Sequence, residues 1–388
     1  MKINLSIKNW IGFEKTPANL TMAVLAVALL TLFLGGVVSY LIQGHGAYNV
    51  TREHPWGLLL TGYVFWAVAC TGLCLVSSLG HVFGLKEFET IGKRATAGAI
   101  IFAVTAFMVI ALELGHPFRI VVYNVISPGL SSAIWWMGTL YGLYLMILVI
   151  EFFCMSSEKH RHRLKLVSII ALIVGIAANT TLASVFALLV ARPYINSVYF
   201  PISFILVTMI AGCFLVFLIY GSKYKLQFPP EIKTMLFKLS RILGALLLVL
   251  VFFEFWRVLT GIYGNMPERA ETVLYSINQP SYWVGEILLG ILIPLVVVAI
   301  GKAQAFKAMV WASLAGIIGI FFMRYNMIHN VFAYPMDTMK RSEYEVVKMW
   351  AQYSPSVTEA AIVLGSVGVA FVLYYVVDKL LRLESNHH

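Results

Sequence analysis

The chain has 388 residues, of which 60% are hydrophobic and only 12% are charged, and its mean hydropathy is +0.85. Soluble domains carry about 25% charged residues, so this composition excludes a soluble globular protein and predicts one that crosses the lipid bilayer several times. The net charge of +10 does not indicate nucleic-acid binding, because no basic stripe is interleaved with aromatic residues. The four cysteines form no Cys-x-x-Cys or Cys/His cluster, so neither an iron–sulfur cluster nor a metal site is expected.

Ten apolar runs are each long enough to cross a bilayer, which requires about 20 residues. The predicted spans are 19–43, 56–84, 95–115, 131–154, 165–190, 198–221, 242–262, 281–301, 308–325 and 357–380. Because lipid offers the backbone no hydrogen-bond partners, all of them are predicted to be helices. The expected fold class is an all-α integral membrane protein with a single transmembrane domain over 1–388.

Lysine and arginine are distributed unevenly between the two sides of these spans. The side that holds the N-terminus has 19 of the 28 Lys and Arg residues, and the other side with its helix ends has nine. The positive-inside rule then predicts that both termini are cytoplasmic and that the protein lies in the cell membrane. The segments 1–18 and 381–388 are expected in the cytoplasm, and 326–356 is expected to be a long extracytoplasmic loop.

Six charged side chains lie in or at the ends of the apolar runs, and the predicted orientation places all of them in the outer half of the membrane. They are Glu113, Glu254, Arg257, Glu286, Arg324 and Glu359. An ionisable group in lipid costs several kcal/mol and usually marks a ligand site or a pathway. The alternatives are structural: Glu254 and Arg257 are three residues apart and could form an ion pair, and Arg324 could extend to the lipid headgroups.

Several other polar side chains fall at a similar depth and predict a quinone site. A quinone needs an apolar pocket, a hydrogen-bond donor to each carbonyl oxygen and a group that exchanges protons. Tyr63, His116 and Thr181 are expected to hold the headgroup, while Glu113 takes or gives the proton. The full candidate set is Tyr63, Glu113, His116, Asn179, Thr181 and Glu286. The alternative for the hydroxyls of the fifth span is hydrogen bonding to the carbonyl groups of their own helix.

The inner half of the membrane has few ionisable groups. His81 and Glu151 could form a proton path from the cytoplasm, or could simply lie at the membrane interface. Seven of the nine histidines, including His54 and His329, are expected in loops or tails. Since membrane haem b usually needs two histidines at similar depth on facing helices, a haem is disfavoured.

Several sequence segments resemble the NrfD/PsrC family, the membrane subunits of polysulfide reductase and related respiratory complexes. The segments are HPWGLLLTGYVFWAVACTGL (54–73), ELGHPFRI (113–120), SPGLSSAIWWMG (127–138) and ARPYIN (191–196). The ten-span layout, Arg324 and YSPSVTE (353–359) are similar to the longer branch of this family, which includes HybB and DsrP. Within that branch the sequence most resembles DsrP, from a complex associated with sulfite reduction.

The resemblance implies a quinone-reactive subunit of an oxidoreductase complex rather than a stand-alone enzyme. It implies menaquinone bound near the outer face, no haem or iron–sulfur cluster in this chain, and an extracytoplasmic ferredoxin-like iron–sulfur partner. A c-type cytochrome and a second membrane subunit are further implied partners. By position, Tyr63 falls where the family has a quinone-contacting histidine, Thr181 falls near a quinone-contacting tyrosine, and Glu113 and Glu286 fall on acidic positions. The alternative function is an ion-coupled transporter or a proton-translocating subunit that uses the same carboxylates.

Overall fold

The computed structural model describes residues 17–335, 338–342, 345–348, 350–381 and 383. The helices are α1 (Pro17–Gln43), α2 (Leu58–His81), α3 (Gly92–Glu113), α4 (Pro117–Ile126), α5 (Ala133–Ser156), α6 (Leu164–Ala187), α7 (Tyr199–Lys223), α8 (Pro230–Tyr263), α9 (Pro267–Ile277), α10 (Ile293–Ile300), α11 (Phe306–Phe332) and α12 (Val357–Leu381). A π-helical segment, Ser281–Leu292, runs directly into α10. Three short 3₁₀ helices are Gly44–Ala47, Lys86–Ile91 and Glu158–Arg163.

The described residues contain ten helices that are long and apolar enough to cross a membrane, which confirms the predicted fold class and a multi-pass membrane protein. Helices α4 and α9 are shorter and connect spans. A small antiparallel hairpin, β1 (Thr338–Ser342) and β2 (Glu345–Lys348), lies between α11 and α12. The predicted terminal segments fall largely at 1–16 and 384–388, which are outside the described residues.

One predicted boundary is wrong in a way that matters for the site. The ninth span was expected to end at 325, but α11 continues to Phe332. This stretch contains three polar residues that lower its hydropathy, Asn326, His329 and Asn330. All three are nevertheless buried against other helices. His329 is therefore a buried helical residue and not a loop residue.

Eight of the spans form two four-helix bundles. In the first bundle, α2, α3, α5 and α6 pack in a ring, each against its two neighbours. In the second, α7, α8, the π-helical segment with α10, and α11 pack in the same way. The two remaining spans, α1 and α12, pack against each other, and α12 also contacts α2 and α3.

Helix α2 joins the two bundles and is the most deeply buried span. In its most apolar stretch, 94% of the residues are buried inside the protein. It crosses α7 of the second bundle where Gly72 meets Gly212, and a Cβ atom at Gly212 would overlap the backbone of Gly72. Two glycines at this crossing let the helix backbones approach closely, which is how helices gain van der Waals contact in a membrane.

Candidate functional site

Two carboxylates lie at the N-terminus of α2. Glu113 ends α3 and Glu359 lies in the first turn of α12. The Gly57 N–H donates to Glu113 Oε1 at 3.4 Å, and the Leu58 N–H donates to Glu359 Oε1 at 3.0 Å. The first N–H groups of a helix have no partner within the helix and carry partial positive charge, so they attract negative side chains. The start of α2 therefore brings together two acidic residues that are 246 positions apart in the sequence.

The two carboxylates differ in how fully they are hydrogen bonded. Glu359 also accepts from the Tyr353 hydroxyl at 2.5 Å, from the Ser356 N–H at 2.8 Å and from the Asn49 N–H at 3.1 Å. The Oε2 atom of Glu113 is buried and has no hydrogen-bond partner among the described residues. Glu359 thus ties three chain segments together, whereas Glu113 has an oxygen free to bind a proton or a ligand donor.

Beside this pair lies a stack of three rings that the sequence did not predict. His54 and His329 are nearly parallel with ring centroids 5.1 Å apart, and Tyr353 lies 4.5 Å from each of them. His329 is 4% exposed and its Nε2 lies 3.0 Å from the hydroxyl of Thr61, while His54 is 1% exposed. Burial lowers the pKa of His54 and, together with the hydrogen bond to Glu359, raises the pKa of Tyr353.

His54 and Tyr353 could have been found from the sequence, because both lie in the segments that carry the family resemblance. His329 could not, because its helix was predicted to end before it. The two histidines are stacked face to face, and His54 Nε2 lies 3.3 Å from the His329 carbonyl oxygen.

His116 does not join this site. It precedes α4, its side chain is exposed, and it has no side-chain hydrogen bond or ring contact within the described residues. The imidazole that contacts the end of α3 is that of His45, whose Nε2 lies 2.8 Å from the Glu113 carbonyl oxygen. Helix α3 ends at Glu113, so His116 lies outside that helix.

Tyr63, Asn179 and Thr181 all belong to helices of the first bundle. Tyr63 is buried and lies close to Tyr141 of α5. Asn179 accepts from the Thr208 hydroxyl at 3.2 Å, but its buried Nδ2 has no hydrogen-bond partner among the described residues. Thr181 donates to the Ala177 carbonyl oxygen at 2.7 Å, so the alternative of bonding within its own helix holds for this hydroxyl.

A second polar cluster, the ionic network, lies in the second bundle. Arg257 Nη2 bridges Glu254 at 2.5 Å and Glu286 at 2.7 Å, which confirms the alternative that Glu254 and Arg257 pair. Asn326 donates to the other oxygen of Glu286 at 2.9 Å. Glu286 is carried by the π-helical segment, and π geometry in a helix is frequent at functional sites.

Arg324 is buried beside this network and does not extend to the headgroups. It is 4% exposed, and its Cζ lies 3.9 Å from the centroid of the Phe204 ring. It has no ion pair among the described residues, and its Nε has no hydrogen-bond partner there. Two apolar clefts of about 290 and 340 Å³ flank α8, and they reach Arg257 and Glu254 respectively.

The six charges of the apolar runs thus divide into two groups at the same end of the molecule. Helix α11 separates the groups and contacts both, since Asn326 bonds to Glu286 while His329 stacks on His54. Near the opposite end, Glu151 accepts from the Ser168 hydroxyl at 2.6 Å and is 3% exposed. Glu151 is therefore buried against other helices and not exposed at the protein surface.

The family model described as "Polysulphide reductase, NrfD" matches residues 46–335 of this chain. The chain belongs to the NrfD family. This match covers α2 to α11, which are the two four-helix bundles with Tyr63, Glu113 and Glu286 inside them. Helices α1 and α12 lie outside the matched residues. Glu359, on α12, is therefore not in the part of the chain that the family model covers.

Two relatives of this NrfD-family chain are similar over nearly their full lengths. It is 22% identical to a selenate reductase subunit of Mesobacillus selenatarsenatis, with 89% of this chain and 90% of the relative covered. It is also 22% identical to the "Hdr-like menaquinol oxidoreductase integral membrane subunit" of Archaeoglobus fulgidus, with 92% and 93% covered. Among the described residues of this chain, no group of three or more His, Cys, Asp or Glu is arranged to hold a metal ion.

Proposed function

We propose that this chain is the quinone-reactive membrane subunit of a respiratory oxidoreductase complex. It would exchange electrons between menaquinone or menaquinol and an extracytoplasmic iron–sulfur subunit. The observation that carries the proposal is the Oε2 atom of Glu113, at the end of the first bundle where α2 begins. This atom is buried and has no hydrogen-bond partner among the described residues. Family membership and a relative named as a menaquinol oxidoreductase subunit support it.

The donor set suits a quinone headgroup. Bound menaquinone supplies the redox chemistry, because two electrons and two protons interconvert the quinone and the quinol. Glu113 would accept a proton on Oε2 from the quinol, or return it to the reduced quinone, with its other oxygen held by the Gly57 N–H. Tyr63 would donate a hydrogen bond to one carbonyl oxygen, and Asn179 Nδ2 is an unpartnered donor in the same bundle. Electrons would enter or leave through the partner's iron–sulfur cluster.

The remaining site assignments carry different support. The Thr181 hydroxyl already donates its proton within its own helix, so it could only accept a hydrogen bond from the ligand. The exposed His116 would need another conformation to reach a headgroup. Glu286 is fully engaged by Arg257 and Asn326, so we assign it to the ionic network of the second bundle.

The choice of complex rests on the resemblance alone. We propose respiration of a sulfur compound, with sulfite the expected substrate of the whole complex and DsrP the expected type. The implied partners are a ferredoxin-like iron–sulfur subunit, a c-type cytochrome and a second membrane subunit. A transporter would favour broken helices at matching places in two halves. Among the described residues, the eighth span is π-helical over its first part, Ser281–Leu292, and no other span holds a π-helical segment, so this alternative has less support.

The test is binding of a short-tailed menaquinone to the purified chain, measured by quenching of tryptophan fluorescence. Glu113→Leu and Tyr63→Phe should each weaken binding by roughly tenfold, as expected for losing one hydrogen bond in a buried site. Glu268→Gln, an exposed carboxylate at the start of α9, is the matched control and should bind normally.

His116→Ala tests whether the exposed imidazole contacts the headgroup, as the sequence predicts, or lies outside the site. We expect this variant to bind menaquinone with wild-type affinity. Unchanged affinity in all three variants Glu113→Leu, Tyr63→Phe and His116→Ala would reject the site. No quinone binding by the wild-type chain would reject the proposed function itself.

A further inference from the structure

One of the two clefts that flank α8 lies in the second bundle, apart from the proposed quinone site. It has a volume of about 290 Å³ and is bounded by the start of α7, the final turns of α8 and the start of α9. Along α8 it extends from Phe252 to Gly261, which is about 13.5 Å of helix. Phe252 and Trp256 are 60% and 45% exposed, so the cleft opens towards the surrounding lipid.

The lining of this cleft changes from apolar to polar along its length. The aromatic residues Phe252 and Phe253 line the end that lies deeper in α8. Ser197 and Arg269 line the other end, and both belong to connections outside the membrane-spanning helices. A membrane lipid has the same polarity, because its chains lie in the hydrocarbon and its headgroup lies at the interface. The cleft therefore has the shape and polarity to hold a lipid parallel to α8.

The polar end of the cleft offers hydrogen-bond donors that are held in place. Arg269 donates through Nε to the Pro193 carbonyl oxygen at 2.9 Å and through Nη2 to the Asn196 carbonyl oxygen at 3.2 Å. Its Nη1 has no hydrogen-bond partner in the described part of the chain. The Ser197 hydroxyl accepts from the Tyr199 N–H at 3.2 Å, so its own proton is available. Both groups can donate to an anionic oxygen.

The charges around the cleft favour an anion. None of the described residues that line it is acidic. Its second arginine, Arg257, is already paired with the carboxylates of Glu254 and Glu286. Arg269 forms no salt bridge within the described residues and so supplies the uncompensated positive charge.

Two comparisons support this assignment of charge. On α9, Glu268 and Glu271 are one and two positions from Arg269, and residues at those spacings do not face each other on a helix. The cleft of about 340 Å³ on the other side of α8 has the opposite character, because Glu254 is its only charged lining residue. An anionic headgroup would be attracted to the first cleft and repelled from the second.

We propose that the cleft of about 290 Å³ is a binding site for an anionic phospholipid. The phosphate would lie against Arg269 and Ser197, and an acyl chain would pack on Phe252 and Trp256. Arginine binds phosphate through short, charge-assisted hydrogen bonds, and basic pockets between membrane helices bind lipid headgroups. The volume is at the low end for a ligand pocket, so the rest of the lipid would stay in the bilayer.

The bound lipid would stabilise the end of the second bundle. Arg269 joins α9 to the connection between α6 and α7, and the cleft adds α8 to this group. A ligand that binds only the folded chain raises its stability by mass action. The site does not depend on the proposed quinone chemistry, so the failure of either proposal would leave the other standing.

The first test is a lipid titration of the purified chain in detergent, followed by native mass spectrometry. The wild type should bind one phosphatidylglycerol molecule more tightly than phosphatidylethanolamine. Arg269→Gln should weaken phosphatidylglycerol binding by at least about tenfold, as expected for the loss of a hydrogen bond between charged groups. Arg119→Gln, which removes an exposed arginine on α4, is the control and should bind normally.

Two outcomes of this titration would overturn the site. One is equal affinity of the wild type for phosphatidylglycerol and phosphatidylethanolamine. The other is wild-type affinity for phosphatidylglycerol in Arg269→Gln.

A second test uses only the wild-type chain, because Arg269→Gln also removes two hydrogen bonds to the backbone. Phosphatidylglycerol with a photoactivatable group in its acyl chain should label Phe200 and Phe253, which line this cleft. It should not label Ile287 and Ile291, which line the other cleft. Excess unlabelled phosphatidylglycerol should remove the label, and excess menaquinone should not.

The pattern of labelling decides between the possible occupants. Equal labelling of the two clefts would show only general contact with the bilayer and would overturn the site. Label that is removed by menaquinone but not by phosphatidylglycerol would overturn it in favour of a quinone. The absence of label from both Phe200 and Phe253 would also overturn it.

Discussion

Single residues differ in this protein mainly by how fully their polar atoms are satisfied. Glu359 accepts four hydrogen bonds and fixes the loops around the start of α2, while Glu113, beside it, keeps one oxygen free. The same contrast separates Glu286, which is held by Arg257 and Asn326, from Glu151, which is held only by Ser168. A carboxylate with a free buried oxygen can change its protonation, and a fully bonded one serves the structure.

The buried imidazole of His54 should make the protein less stable in acid. Its pKa is lowered from the usual 6.5 by burial, so the unfolded chain binds a proton that the folded chain does not. The stabilisation is complete above about 6.5 and is lost as the pH falls towards the lowered value. Melting temperatures between pH 7.5 and 5.5 should fall less steeply for His54→Gln than for the wild type. Equal slopes would contradict this, and His162→Gln, at an exposed position, is the control.

Arg257 should be the most costly side chain to remove from the ionic network. Arg257→Ala leaves the two carboxylates of Glu254 and Glu286 buried without their cation, and breaking a buried ion pair costs about 3–5 kcal/mol. The measurement is chemical unfolding of the purified protein in detergent. The exposed Lys307→Ala should change stability by less than about 0.5 kcal/mol. A similar small loss for Arg257→Ala would show that the network does not stabilise the fold.

At the scale of helices, close crossings decide which spans become neighbours. Helix α2 can occupy the centre because Gly72 and Gly212 let it approach α7. The geometry of the eighth span, in contrast, cannot be seen in the sequence, because its apolar run predicts an ordinary α-helix. Nothing in its hydropathy indicates the π-helical turn pattern of Ser281–Leu292 that carries Glu286 to Arg257.

Gly212→Ala should separate α2 from α7 and destabilise the protein by about 1–3 kcal/mol, as overpacking in a close-packed interior does. Thermal unfolding in detergent would measure this. Gly142→Ala is the matched control, because a Cβ atom there meets nothing within 4 Å. Equal stability of the two variants would mean that the crossing tolerates a wider separation.

The whole molecule consists of two four-helix bundles and a flanking pair of helices. The first bundle holds the proposed quinone site, and the second holds the ionic network. Both polar sites lie at one end, where the longer connections of the chain also lie. An iron–sulfur partner docked at that end would be close to the proposed quinone site of the first bundle.

The orientation of the molecule can be checked with reporter fusions. The positive-inside rule predicts that a fluorescent protein fused after residue 388 folds in the cytoplasm and fluoresces. Alkaline phosphatase fused after residue 130, in the connection between α4 and α5, should be active because that connection is predicted to be extracytoplasmic. The reverse pattern would mean that the orientation is inverted.

The sequence by itself determined the number of spans, the fold class and the family, because a helix in lipid needs a long apolar run and that run is local information. It also placed six charges in apolar segments. Only the tertiary structure decided which of them meet: Glu113 with Glu359 at the start of α2, and Arg257 with both Glu254 and Glu286. Hydropathy carries no information on the rotation of a helix about its axis or on the partners across an interface. Those depend on how all ten helices pack at once.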